Sequence, residues 1–245
     1  MLESCSHLGL EVAALDRARA FYADVLGRSL ATTGDRELRF RAGETAVVLR
    51  RPRSVPRGGL HVHYALACPP AVYDDWRERL AARDPEEVSF GEYSSLYVDD
   101  PDGHCVEVGG VPTGGGDTDE VKPDGDDHDG PALTGLFEVV LEVADLDRAE
   151  QRYRRLGFDP VDRGDERRRV RLRGPLDLEL WEPQLGLADA RGGVHVDLGF
   201  RTADPATAAA AFGDAVVERE PLPDDEGDGV RVRDPDGHRL AFCRD

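Results

Sequence analysis

The side chains best suited to chemistry lie in three short segments that alternate apolar and polar residues. In "SHLGLEV", Leu8, Leu10 and Val12 fall on one face, so His7, Gly9 and Glu11 point the other way. In "LHVHYALA", Leu60, Val62, Tyr64 and Leu66 share a face and leave His61 and His63 opposite. In "HCVEVGG", Val106 and Val108 point to the core side and leave Cys105 and Glu107 opposite. Three strands in one sheet would therefore offer His7, His63 and Glu107 to one surface. Two imidazoles and one carboxylate on one side of a cation leave coordination positions open. This is the facial arrangement associated with Fe(II), with Mn(II), Zn(II) or Ni(II) as alternatives. A substrate could chelate there through adjacent oxygens while the cation stabilises developing negative charge.

The elements that must position these residues recur. "LGLEVAALDRARAFYADVLG", from Leu8, returns as "VVLEVADLDRAEQRYRRLG", from Val139, and "DDPDGHCVEVGG", from Asp99, returns as "RDPDGHRLAFCRD", from Arg233. A repeat offset of about 130 residues is a duplicated domain rather than a solenoid. After the first strand, Leu15, Ala18, Tyr22, Val25 and Leu26 recur at helical spacing until Gly27 supplies a stop. Strand-type runs follow at Leu38–Arg41 and Thr45–Arg50. Then come the "LHVHYALA" strand, a helix over Ala71–Ala82 with Val72, Trp76 and Leu80 on one stripe, and a hairpin closed by a DPDG turn. Each copy thus reads as two β-α-β-β-β units, an α+β fold. Between the copies, "PTGGGDTDEVKPDGDDHDGP" is Gly, Asp and Pro with almost nothing apolar, a linker that includes His128. The expected division is a domain over residues 1–111, the linker over 112–131 and a second domain over 132–245.

The chain of 245 residues carries 50 Asp and Glu against 31 Lys and Arg, a net charge of −19. So acidic a surface repels polyanions, which argues against nucleic acid and anionic membrane as partners. It suits a halophilic cytoplasm. Cys5, Cys68, Cys105 and Cys243 show no CxxC pairing and no secretory signal precedes them, so reduced thiols are expected, and no apolar run is long enough for a membrane helix. A small-molecule substrate is the expected partner, and a homodimer stays open.

The opening "SHLGLEV" with its helix, the "HYAL" strand and the closing "YVDDPDGHCVEV" resemble the vicinal oxygen chelate superfamily. That superfamily includes glyoxalase I, extradiol dioxygenases, fosfomycin-resistance thiol transferases and bleomycin-binding proteins. The resemblance implies two tandem domains whose units pair into open half-barrels with ligands on the concave face. It implies a divalent metal, Fe(II) foremost, held by His7, His63 and Glu107. The matching positions of the second copy are Glu138, Asp197 and Ala241, so that copy lacks the triad, and His195 matches His61. An alternative arrangement exchanges units between domains. Glu138 would then join His63 and Glu107, and Glu179 would take the place that glyoxalase I fills with a glutamate, where the first copy has Val48.

Within the resemblance, "LYVDDPDGHCVE" fits the extradiol dioxygenase signature, with Tyr97 placed to hydrogen-bond a substrate oxygen and His61 as the nearby base. Ring cleavage of a catechol or enediol is the leading expectation. The alternatives are a glyoxalase-like lyase or isomerase, or a metal-free binding protein of the bleomycin-resistance kind. Cys105 could be a soft ligand but reads better as a small cleft-lining residue. His104 and His238 read as water-exposed turn residues. Arg50, Arg51, Arg53 and Arg57 form a basic cluster suited to an anionic substrate or to a solvated loop.

Overall fold

The computed structural model describes residues 2–52, 61–112, 129–183, 196–213, 216–222 and 228–244. Its elements fall into four β-α-β-β-β units. The first holds β1 (Leu2–Glu11), α1 (Leu15–Ala20), β2 (Ala31–Thr33), β3 (Glu37–Ala42) and β4 (Thr45–Arg50). The second holds β5 (His63–Ala67), α2 (Tyr73–Leu80), β6 (Glu86–Ser89), β7 (Ser94–Asp99) and β8 (Cys105–Gly109). The third holds β9 (Gly135–Glu142), α3 (Leu146–Arg155), β10 (Asp159–Arg163), β11 (Arg169–Arg173) and β12 (Asp177–Trp181). The fourth holds β13 (Asp197–Thr202), α4 (Pro205–Ala210), β14 (Glu218–Pro221), β15 (Gly229–Arg233) and β16 (Arg239–Cys243).

Local chemistry sets the boundaries. After α1 the chain makes one wider turn, with Leu26 N bonded to Phe21 O at 3.1 Å, and Gly27 then leaves the helix at φ +64°. The Asp145 side chain caps α3 by accepting from Arg148 N at 3.1 Å. Strand β5 begins at His63, while the Leu60 of the expected strand lies outside the described residues, and α2 is shorter than the apolar stripe because single 3₁₀ turns flank it.

The units pair across the copies rather than within them. One eight-stranded sheet runs β14-β15-β16-β13-β1-β4-β3-β2, the other β10-β11-β12-β9-β5-β8-β7-β6. The first therefore joins units one and four through the antiparallel β1–β13 pair, with Leu8 opposite Leu198. The second joins units two and three through the antiparallel β5–β9 pair, with Ala65 opposite Glu138. Each sequence copy therefore contributes one unit to each open sheet. Residues 113–128, with His128, lie outside the described residues, as do Arg53, Arg57 and His195.

One continuous core fills the space between the sheets. Leu8 and Leu10 from one sheet and Tyr64 and Leu66 from the other belong to the same cluster of buried side chains. At its centre the Tyr64 hydroxyl donates to the Tyr22 hydroxyl at 2.7 Å, and Tyr22 donates to Asp100 Oδ2 at 3.0 Å. Tyr22→Phe should leave this buried chain one donor short and lower unfolding free energy by about 1–2 kcal/mol, measured by urea denaturation. A loss under a few tenths of a kcal/mol would show that the hydroxyl is dispensable.

The DPDG turns correct one expectation. Asp100 Oδ1 accepts from the backbone N–H of Asp102 and His104, and its Oδ2 contacts His104 Nδ1 at 2.9 Å. Burial would raise the Asp100 carboxyl, but His104 outweighs it and holds the group below its ordinary range. His238 Nε2 donates to Glu142 O at 2.8 Å. His104 and His238 are thus 1% and 3% exposed, not water-exposed, because each ring completes a buried polar turn.

Candidate metal centre

The four central strands of the second sheet, β12-β9-β5-β8, set out two rows of side chains on its outer face. In one row, Glu107, Ala65, Glu138 and Asp177 lie side by side across the strands. In the other, Cys105, His63, Val140 and Glu179 do so. The alternation is forced by the residues between them. Tyr64, Val106, Val139, Leu178 and Leu180 are all fully buried on the core side, so their polar neighbours must face outward. Ala65 leaves room between the carboxylates of Glu107 and Glu138.

Above these rows opens a cavity of about 740 Å³, lined by His61, His63, Tyr97, Glu107, Glu138 and Glu179 among others. His63 Nε2 lies 2.9 Å from Glu107 Oε2. The Glu179 carboxylate is held by Arg169 Nη1 and Trp181 Nε1, each donating at 2.7 Å, and Arg171 contacts Glu138. His61 stacks on Trp181 at 5.8 Å and 10°, and Tyr97 meets the His63 ring edge-on at 5.6 Å. Burial, with a smaller push from His63, lowers His61 to about 4, so its ring is neutral near pH 7. Burial and the Glu107 charge raise the Tyr97 hydroxyl well above its ordinary range, so it stays protonated.

Not all of the expected set is brought together. His63 and Glu107 are neighbours, and His61 and Tyr97 line the same cavity. His7 is not with them. It stands on β1 in the other sheet, where its Nε2 lies 3.8 Å from Asp197 Oδ1. The His7/His63/Glu107 triad is therefore not assembled, because β1 pairs with β13 and β4 while β5 pairs with β9 and β8. Arg50 also lies in the other sheet, against Asp197 at 3.1 Å, and so does not serve this cavity. What the fold collects is the exchanged set of His63, Glu107, Glu138 and Glu179. Cys105 brings its sulfur within 4.8 Å of ring nitrogens of His61 and His63, but burial pushes the thiol up to about 12, which keeps it protonated at neutral pH.

Arg169, Arg171 and Trp181 are site residues that the motif reading passed over. Their signal was present in "RRRVRLRG", where Arg167, Arg169, Arg171 and Arg173 alternate with Val170 and Leu172. Such a strand reads as a solvated face unless its sheet partner is known.

By residue type the set suits a divalent cation, although here only His63 and Glu107 meet directly, while Glu138 and Glu179 are turned onto Arg171 and Arg169. His63, Glu107, Glu138 and Glu179 are between 3% and 8% exposed, and three buried carboxylates on one face demand compensating positive charge. Arg169 and Arg171 supply part of it. An imidazole with carboxylates suits a hard or borderline ion such as Mn(II), Fe(II), Ni(II) or Zn(II).

The fold is thus two outward-facing open sheets made from four β-α-β-β-β units, one bearing this donor cluster over a cavity. Residues 4–108 match the family model described as the Glyoxalase/Bleomycin resistance protein/Dioxygenase superfamily. Among solved structures, a candidate dioxygenase from Bacillus subtilis superposes with a TM-score of 0.74 at 19% identity, covering 100% of this chain and 86% of that one. Glyoxalase I from Zea mays superposes at 0.67 with 20% identity, covering 98% and 91%. At these identities the likeness is one of fold, and it extends over both copies.

Proposed function

We propose that this chain is a divalent-metal-dependent lyase or isomerase, moving a proton on a small hydroxycarbonyl or enediol-forming substrate. The observation that carries the reading is the strand order β12-β9-β5-β8, which sets His63, Glu107, Glu138 and Glu179 on one face of one cavity. Those four residues would hold the metal. Such an ion supplies Lewis acidity, stabilising charge on substrate oxygens as a proton leaves the neighbouring carbon. The chain's own groups do the rest. His61, neutral and fixed against Trp181, accepts the proton at its free ring nitrogen. Tyr97, which keeps its proton, donates to a substrate oxygen. Arg167, above the Trp181 ring at 5.3 Å, draws negatively charged substrates into an otherwise acidic molecule.

Extradiol ring cleavage, with Fe(II), is the second reading. Tyr97 favours it, since it lies directly across from Glu107 in the β7–β8 pair, where it can reach an aromatic diol. Metal analysis after anaerobic loading with Fe(II), Mn(II), Ni(II) and Zn(II) should find one ion per chain. NMR in D₂O should show exchange beside the carbonyl of α-hydroxycarbonyl substrates, with no oxygen uptake on a catechol panel. Oxygen uptake would replace the first reading by the second. A wild-type protein that takes up no metal yet binds apolar ligands would overturn both in favour of a sequestering protein.

A further inference from the structure

The outer face of the first sheet carries a smaller opening of about 190 Å³, lined by Ser6, His7, Arg39, Val48, Arg50 and Arg201 among others. It stands on the four central strands of its sheet, β16-β13-β1-β4, as the candidate metal cavity does on β12-β9-β5-β8. The chemistry at matching positions is inverted. Where the second sheet has Glu107, Glu179 and Glu138, the first has Ala241, Val48 and His7, and Asp197 replaces His63. Arg50 stands where Trp181 does and Arg231 where Tyr97 does.

These arginines are enclosed. Arg50 is 6% and Arg231 3% exposed, and they share one carboxylate, Asp197, at 3.1 and 3.4 Å. Arg231 also faces Glu220 at 3.7 Å, but among the described residues the lining of the hollow itself holds Arg39, Arg50, Arg201 and Arg244 and no carboxylate. Donors also remain unused. Arg50 Nε and Arg39 Nε are buried without a hydrogen-bond partner, although Arg39 Nη2 is held by Glu37 at 3.0 Å. A cationic, donor-rich hollow in a chain of net charge −19 is the reverse of what its composition would scatter at random.

We propose that this hollow is a second ligand site that binds a small oxyanion, an inorganic phosphate or a short carboxylate, independently of the metal cavity. At roughly 30 Å³ per water-sized group, it holds about six non-hydrogen atoms, which suits such an anion and excludes a nucleotide. Arg50 and Arg39 would donate to it in charge-assisted bonds, with Ser6 adding a hydroxyl.

Titration calorimetry at low ionic strength with inorganic phosphate and, separately, malonate tests this. Saturable binding of either is expected at one site per chain, with the tighter ligand identifying the anion type. Arg39→Gln, at the half-buried rim, should weaken it about tenfold, since one charge-assisted donor is lost. Arg50→Gln should abolish it, with folding checked by circular dichroism. His63→Ala should leave it unchanged, which separates this site from the metal reading. No saturable binding of either anion, or binding unaltered by Arg39→Gln, would overturn the proposal.

Discussion

Replacing Glu107 by glutamine is expected to weaken metal binding by at least about 100-fold and to lower turnover at least as much. The amide keeps the size and shape of the carboxylate but removes the negative charge beside His63, 2.9 Å away. Losing a partner that only orients a ligand already costs about 10–100-fold, so losing a ligand should cost no less. Competition with a chelating dye gives the affinity, and turnover is measured at saturating metal. His7→Ala is the companion experiment. His7 stands on the other sheet, so its loss should leave metal stoichiometry and affinity as in the wild type. Metal lost in His7→Ala and retained in Glu107→Gln would refute the shared site.

Asp197→Asn is expected to be the most damaging single change to the fold of the first sheet. Burial alone would raise this carboxyl, but His7, Arg50 and Arg231 overcome it and hold the group far below the ordinary carboxylate range. The amide would leave buried Arg50 without the anion it faces at 3.1 Å and Arg231 with only Glu220 at 3.7 Å, at a cost of about 3–5 kcal/mol. The sign with pH follows from the depressed value. The folded carboxyl titrates below its unfolded reference of roughly 3.9, so its stabilisation is complete above about pH 4 and is lost as the pH falls further. Urea denaturation should therefore show the full deficit of the variant at pH 7 and a shrinking one as the pH falls below about 4. A deficit that does not change with pH would mean that the charge of Asp197 is not what stabilises this face.

Much of this was legible in the residues. The repeat, the helical stripes, the hairpins and the outward direction of His63 and Glu107 all follow from local periodicity, and the structure bears them out. The partner of each unit did not follow. Alternation decides which face a side chain occupies but not which strand lies beside it, and "LGLEV" and "VVLEV" present almost the same edge to either candidate. The leading triad went astray at that step, and only the alternative, with Glu138 and Glu179, matches the pairing that formed. Arg169 and Arg171 were missed for the same reason, since a strand studded with arginine looks solvated until its neighbour is known to be acidic. The buried state of His104 and His238 rests on contacts such as Tyr22 with Asp100, separated by most of a copy, which no local pattern records.

The crossed pairing of units means that the segment that was duplicated and the surface that carries each hollow are offset by half a repeat. A substitution in the first half of one copy changes only one outer face, and a substitution in its second half changes only the other. The two hollows could thus drift to opposite charge, one gathering carboxylates and the other arginines, while the copies kept nearly the same fold-forming sequence. Separating the chain into its two repeats would leave neither hollow intact, so the repeat can be inherited as a unit but neither copy carries a whole hollow of its own.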